Sequence, residues 1–178
     1  MYLVAVLALF SVLTVSTVGE AYIDKHACPG EGCDYCTLYK AVSTVTVYEQ
    51  PSLQAAIVGE VQPGDTFISK DGEVHSVPTP FIVDRAHDKF QPGDEIFALT
   101  YSGEGWYKVF HNGELTEADL GFSPWGGSGG KTCDNPKYCW GHLTKELEFT
   151  WWLYVITEDS VEGWVVGDES MRAIDNRG

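Results

Sequence analysis

The side chains with the most chemistry to offer in this chain are its five cysteines and six tryptophans. Cys28, Cys33 and Cys36 crowd together near the N-terminus, and Cys133 and Cys139 form a second group. Thiols so close do one of two things. In an oxidising compartment they pair as disulfides; kept reduced, three thiolates with His26 beside them have the crowding of a tetrahedral zinc site. Their spacing is irregular for zinc, so Cys28, Cys33, Cys133 and Cys139 are read as disulfide cysteines and no metal site is assigned, a zinc or redox role being the alternative. Pairing within each group would close tiny loops worth about 2 kcal/mol each. A link between the groups would close roughly 100 residues and give nearer 5 kcal/mol. Spacing leaves both open. An odd count leaves one thiol over, and Cys36 is the choice.

Trp106, Trp125 and Trp140 lie beside turns, where an indole tends to stand exposed. With Tyr107 they form the candidate surface for an aromatic-recognised ligand. Trp164 reads as core, and of Trp151 and Trp152 one must face out, because strand neighbours point to opposite faces. His75, His87, His111 and His142 are scattered singly, without the paired spacing of metal ligands. His75, between Val74 and a proline turn at 78–80, joins the ligand candidates, a hydrogen-bonded structural histidine being the plainer reading. A thiol mechanism from Cys36 and His75 would need a positive neighbour, but Glu31 and Asp34 flank Cys36 and disfavour a thiolate. The Gly-x-Ser-x-Gly string at 126–130 falls in a loop-like glycine run rather than a strand-to-helix elbow, and phosphate loops and dinucleotide fingerprints are missing from the sequence. No enzyme and no cofactor are expected.

A formal charge of −15 repels nucleic acid and anionic lipid headgroups. It serves solubility or attracts a basic partner. The apolar run from Tyr2 to Phe10 stays uncharged until Glu20, and Gly19-Glu20-Ala21 follows. Residues 1–21 therefore read as a secretory signal, a retained anchor being the alternative. The expected location is periplasmic or secreted, with no membrane insertion after cleavage.

Strand signals dominate what must position these groups. Residues 43–48 alternate and are rich in β-branched side chains; 56–61 and 66–69 follow across Pro63-Gly64-Asp65. Asp71-Gly72 suits a hairpin turn, and 106–111 run into Asn112-Gly113, a strong hairpin signal. Residues 151–157 and 163–166 make a last hairpin, while 115–120 could form one helical turn. Gln62-Pro63-Gly64-Asp65 recurs as Gln91-Pro92-Gly93-Asp94. The echo reads as shared turn chemistry, with a duplicated barrel as the alternative.

Val47-Tyr48, Pro51-Ser52, Val58-Gly59, Val61 and Gly64-Asp65 resemble the first half of a bacterial SH3-like domain. Trp152-Leu153-Tyr154-Val155 and Gly163-Trp164-Val165 resemble its second half. The chain beyond the signal is also similar to uncharacterised exported bacterial SH3-domain-containing proteins, through Cys28-Pro29-Gly30-Glu31-Gly32-Cys33, Gly72-Glu73-Val74-His75, Leu120-Gly121-Phe122-Ser123-Pro124, Cys139-Trp140-Gly141 and Thr150-Trp151-Trp152. In that pattern Cys36 is an addition, consistent with an unpaired thiol. The resemblance implies a targeting module for cell-wall material or an envelope protein, and carries no assigned activity.

The expected protein is all-β: an SH3-like barrel with a long β-rich insertion, or two tandem SH3-like barrels. Its expected parts are a signal at 1–21, a Cys-rich segment at 22–42, a β domain at 43–170 with the insertion at about 71–146, and a tail at 171–178. Its expected role is non-catalytic binding in the cell envelope. An acidic inhibitor or partner of a basic envelope protein is the alternative.

Overall fold

A computed structural model describes residues 21–122 and 139–174. The expected signal up to Glu20, Trp125 and Cys133 lie outside the described residues. The fold is all-β and barrel-like, with no helix among the described residues. One sheet, curled into a half-barrel, contains β1 (Tyr22–Lys25), β2 (Leu38–Ala41), β3 (Val45–Tyr48), β4 (Ile57–Val61), β5 (Thr66–Val77), β11 (Glu148–Thr157), β12 (Glu162–Val166) and β13 (Met171–Ala173). Its order is β13-β2-β5-β11-β12-β3-β4, with β1 on the far half of β5. The second sheet contains β6 (Thr79–Val83), β7 (Glu95–Gly103), β8 (Trp106–His111), β9 (Glu114–Asp119) and β10 (Gly141–Leu143), in the order β10-β6-β7-β8-β9.

Alternation in the sequence becomes burial in the strands. Val45 and Val47 point into the first core while Thr46 and Tyr48 face out, and β11 buries Leu153 and Val155 in the same core. Asn112 and Gly113 take left-handed φ values of 50° and 86°, as a two-residue hairpin turn between β8 and β9 requires. Two sequence expectations fail here. Asp71-Gly72 makes no turn, because β5 runs straight through it. Glycine is there for closeness: a Cβ would lie 2.6 Å from Tyr35 Cβ and 2.9 Å from the Ala27 carbonyl oxygen. The helical turn expected at 115–120 is instead β9, since the tight Asn-Gly turn sets Leu115 opposite Phe110 and continues the ladder to Asp119.

The second sheet repeats the first. β13-β2-β5-β11-β12 corresponds in order to β10-β6-β7-β8-β9. The match extends to single hydrogen bonds. Gly64 N donates to Ala41 O (2.9 Å) and Ala41 N to Asp65 O (3.0 Å); Gly93 N donates to Val83 O (2.8 Å) and Val83 N to Asp94 O (2.9 Å). Val42 and Ser43 both donate to Ser170 O, as Asp84 and Arg85 both donate to Trp140 O. The Gln-Pro-Gly-Asp echo thus marks a repeated set of strands as well as a repeated turn, with positive φ at Gly64 and Gly93 alike.

One piece is not repeated. Between β2 and its turn the first sheet carries β3 and β4, and β3 meets β12 where Trp164 stands opposite Tyr48. The matching stretch of the second sheet is only residues 84–90, folded into a small turn closed by a His87–Phe90 bridge. β9 therefore ends its sheet, with no strand on its outer side among the described residues.

Each sheet has its own core. Tyr39, Val47, Phe67, Leu153, Val155 and Val165 centre the first; Phe81, Ile96, Tyr107, Val109, Leu120 and Trp140 centre the second. The N-terminal stretch straps them together. Buried Asp24 accepts hydrogen bonds from Lys108 Nζ at 2.7 Å and Thr100 Oγ1 at 2.8 Å, and Glu31 accepts from Tyr101 Oη and Glu104 N.

Candidate functional site

The missing hairpin decides which aromatic side chains are open. In the hairpin ladders, Trp152 stands opposite Val166 as Trp106 stands opposite Asp119, so the two tryptophans hold equivalent places in their sheets. Trp152 is 3% exposed, packed edge-on to Tyr48 of β3 at 5.8 Å and beside His75 at 6.4 Å. Trp106 has no β3 beside it and is 46% exposed. It borders a groove of about 320 Å³ between β9 and the 84–90 turn. Phe90, Ala118 and His87 line the groove with it, and Asp88, Glu117 and Asp119 add carboxylates.

The groove is rigidly backed. Trp140, where the first sheet has Ser170, supplies apolar bulk behind the turn. Phe90 and His87 both stack on its indole, at 5.4 and 4.6 Å between centroids. Its Nε1 donates to Asp119 O at 2.8 Å, tying the stack to the end of β9. Lys89 extends over the Phe90 ring at 5.6 Å and donates to Thr116 Oγ1 at 3.3 Å, so one cation of the chain already sits on this aromatic wall. Asp88 takes a left-handed φ of 48°, which aspartate tolerates better than most residues. None of Asp88, Glu117 and Asp119 has an ion-pair partner within 4 Å among the described residues.

Of the side chains singled out in the sequence, only Trp106 lines this groove. Trp140 is 2% exposed, a correction to its expected place on the surface. The reason is the hydrogen bonding of Asp84 and Arg85 to its carbonyl, which folds it under the 84–90 turn. Tyr107 is also corrected: it is fully buried behind Trp106, and its hydroxyl donates to Phe122 O at 3.3 Å. His75 lies on the other sheet, mostly buried, bonded through Nε2 to Glu73 Oε2 at 2.9 Å. Trp164 is half-buried against Tyr154 rather than core, since the alternation turns Gly163 and Val165 inward.

Cys28 and Cys33 are bonded to each other, and bonded thiols have no thiolate to give a metal. Cys139 is also disulfide-bonded. Cys36 is free and exposed, its Sγ donating to Lys70 O at 3.3 Å. From Lys70, β5 runs extended for five more residues to His75, roughly 16 Å at 3.3 Å per residue, so a Cys36–His75 nucleophile–base pair is not assembled.

Asp88, Phe90, Glu117 and Asp119 were not singled out in the sequence, and His87 was named there only as one of the scattered histidines. The signal for them was the frame Phe90-Gln91-Pro92-Gly93-Asp94 against Val61-Gln62-Pro63-Gly64-Asp65. Aligned so, it exposes how short the second stretch is. Comparison with protein-family models, with curated proteins and with solved structures returns no match.

Proposed function

We propose that the protein is a non-catalytic binding module of the bacterial cell envelope, periplasmic or secreted, using the Trp106 groove to hold wall peptide, glycan or a protein partner. The observation that carries this reading is an exposed indole in a pre-formed groove whose other aromatic walls are fixed by a buried stack. Placement among exported bacterial SH3-like proteins is part of the proposal. It is supported by the quoted motifs and by the barrel-like, all-β fold.

A second reading has its own observation. Three carboxylates rim the groove of a chain with net charge −15, which favours an acidic partner of a basic envelope protein. Salt separates the two. Purified protein is sedimented with crude envelopes and with detergent-stripped wall sacculi, each at low and high ionic strength. Pelleting with sacculi that survives high salt supports recognition of wall material. Pelleting only with crude envelopes, lost at high salt, supports the basic partner, and no pelleting anywhere rejects both.

A further inference from the structure

We propose that the Trp106 groove is a vacant strand position, filled by an extended basic segment of a partner polypeptide that adds to the outer edge of β9. The inference rests on the binding-module reading above and names the partner's form and charge.

The argument starts from the repeat. In the first sheet the strand after β12 is β3, and its Tyr48 packs edge-on against Trp152. In the second sheet the equivalent strand is β9, the equivalent indole is Trp106, and among the described residues no strand takes the position of β3, residues 84–90 forming only a small turn. The short turn stands back from β9, and the groove is the gap between them. A strand edge offers unpaired backbone N–H and C=O groups, which an extended peptide satisfies without regard to its sequence; on β9 the Asp119 carbonyl is already taken by Trp140 Nε1, so the offer is the stretch before it. Side chains alternate along such a peptide. On one face a residue would meet Trp106 as Tyr48 meets Trp152.

Charge selects the occupant. Glu114, Glu117 and Asp119 lie along β9, and Asp88 faces it across the groove. On an edge strand, like charges also deter a second copy of the same edge, so β9 repels itself while attracting lysine or arginine. Lys89 over Phe90 is this chain's own instance of an ammonium held by that wall. Glu117 has Lys108 opposite it in the ladder, but a neutral or acidic strand would leave Asp88 and Asp119 without a cation.

The test uses the protein containing both cores and capped nine-residue peptides in which lysine alternates with valine around a central tyrosine. Binding is followed by the Trp106 indole Nε1 signal and by hydrogen exchange of the β9 amides. The lysine peptide is expected to shift the indole and slow exchange along β9. A glutamate-for-lysine peptide should bind at least about tenfold more weakly, and Trp106→Ala should weaken the lysine peptide about three- to tenfold. Methylating alternate peptide amides on the strand-pairing face should abolish protection of β9. Asp88→Asn, which keeps the left-handed turn, and Glu117→Gln together should make lysine and norleucine peptides bind alike.

Equal binding of lysine and glutamate peptides overturns the charge argument. Indole shifts that survive amide methylation overturn strand addition. A stable dimer that protects β9 without peptide replaces the partner by a second copy. If stripped sacculi, but no peptide, shift the indole, the occupant is wall material. If no peptide binds yet Trp106→Ala abolishes pelleting with envelopes, this inference fails while the binding-module reading stands; if the substitution leaves pelleting unchanged too, both fail.

Discussion

Three side chains near the two cores hold their protons unusually hard. Burial, and then the charge of Asp34, push Tyr39 up to about 12, while its hydroxyl donates to Asp34 O at 2.6 Å. Burial, and then the neighbouring Tyr101, push Tyr107 higher still. At Lys108 burial opposes the charge, but the hydrogen bond and charge of Asp24 outweigh it and raise the ammonium above its ordinary value. Each folded-state value lies above the unfolded one, so each contribution is complete below about pH 10 and is lost as pH rises through the folded value. Stability should hold steady from pH 7 to 9 and then fall, Tyr39 alone accounting for on the order of 2 kcal/mol by pH 12. Urea midpoints across that range check it, together with tyrosinate absorbance, which should rise in two steps. A single step near pH 10 would count against the burial described here. At this scale the sequence was legible where chemistry is local. The unpaired Cys36 and the bonding of Cys28, Cys33 and Cys139 match the reading of crowded thiols as disulfides with one left over. Trp140 was misread because its burial depends on partners far along the chain.

Glycines expose how closely the elements pack. A Cβ on Gly163 would lie 2.5 Å from Tyr48 O and 2.7 Å from Val47 Cγ1, so the Gly-Trp-Val stretch starts with glycine because β12 crosses β3 at backbone distance. Gly163→Ala should therefore part the β3–β12 contact and cost about 1–3 kcal/mol, read from a denaturant midpoint. Exchange should quicken in β3 and β4, while the second sheet, which lacks this crossing, keeps its protection. Uniform weakening of both sheets would contradict it. Strands with plain alternation, such as β3, β8 and β12, were readable at this scale, as was the Asn112-Gly113 turn. Asp71-Gly72 was not, because a glycine needed for close approach and one needed for a turn look alike in sequence. The groove itself stayed hidden, because it is made by residues that are missing from a repeat.

In the whole molecule two sheets with separate cores behave as one body only if something joins them. Asp24 and Glu31 do so from a single N-terminal stretch, one through Lys108 and Thr100, the other through Tyr101 and Glu104. Asp24→Ala leaves Lys108 without its carboxylate and Thr100 without its acceptor, and should cost about 2–3 kcal/mol. A second unfolding step should then separate the two sheets in calorimetry, whereas an unchanged single transition would place the coupling elsewhere. The same architecture explains why recognition is assigned to the second sheet. The first covers its equivalent tryptophan with its own hairpin; the second leaves Trp106 open beside three carboxylates. The measurement that tests this most directly is sedimentation with isolated cell envelopes of the native protein, Trp106→Ala and Trp164→Ala. The account predicts that native protein and Trp164→Ala pellet alike while Trp106→Ala stays in solution, folded by circular dichroism. Equal pelleting of all three, or none pelleting, would contradict it.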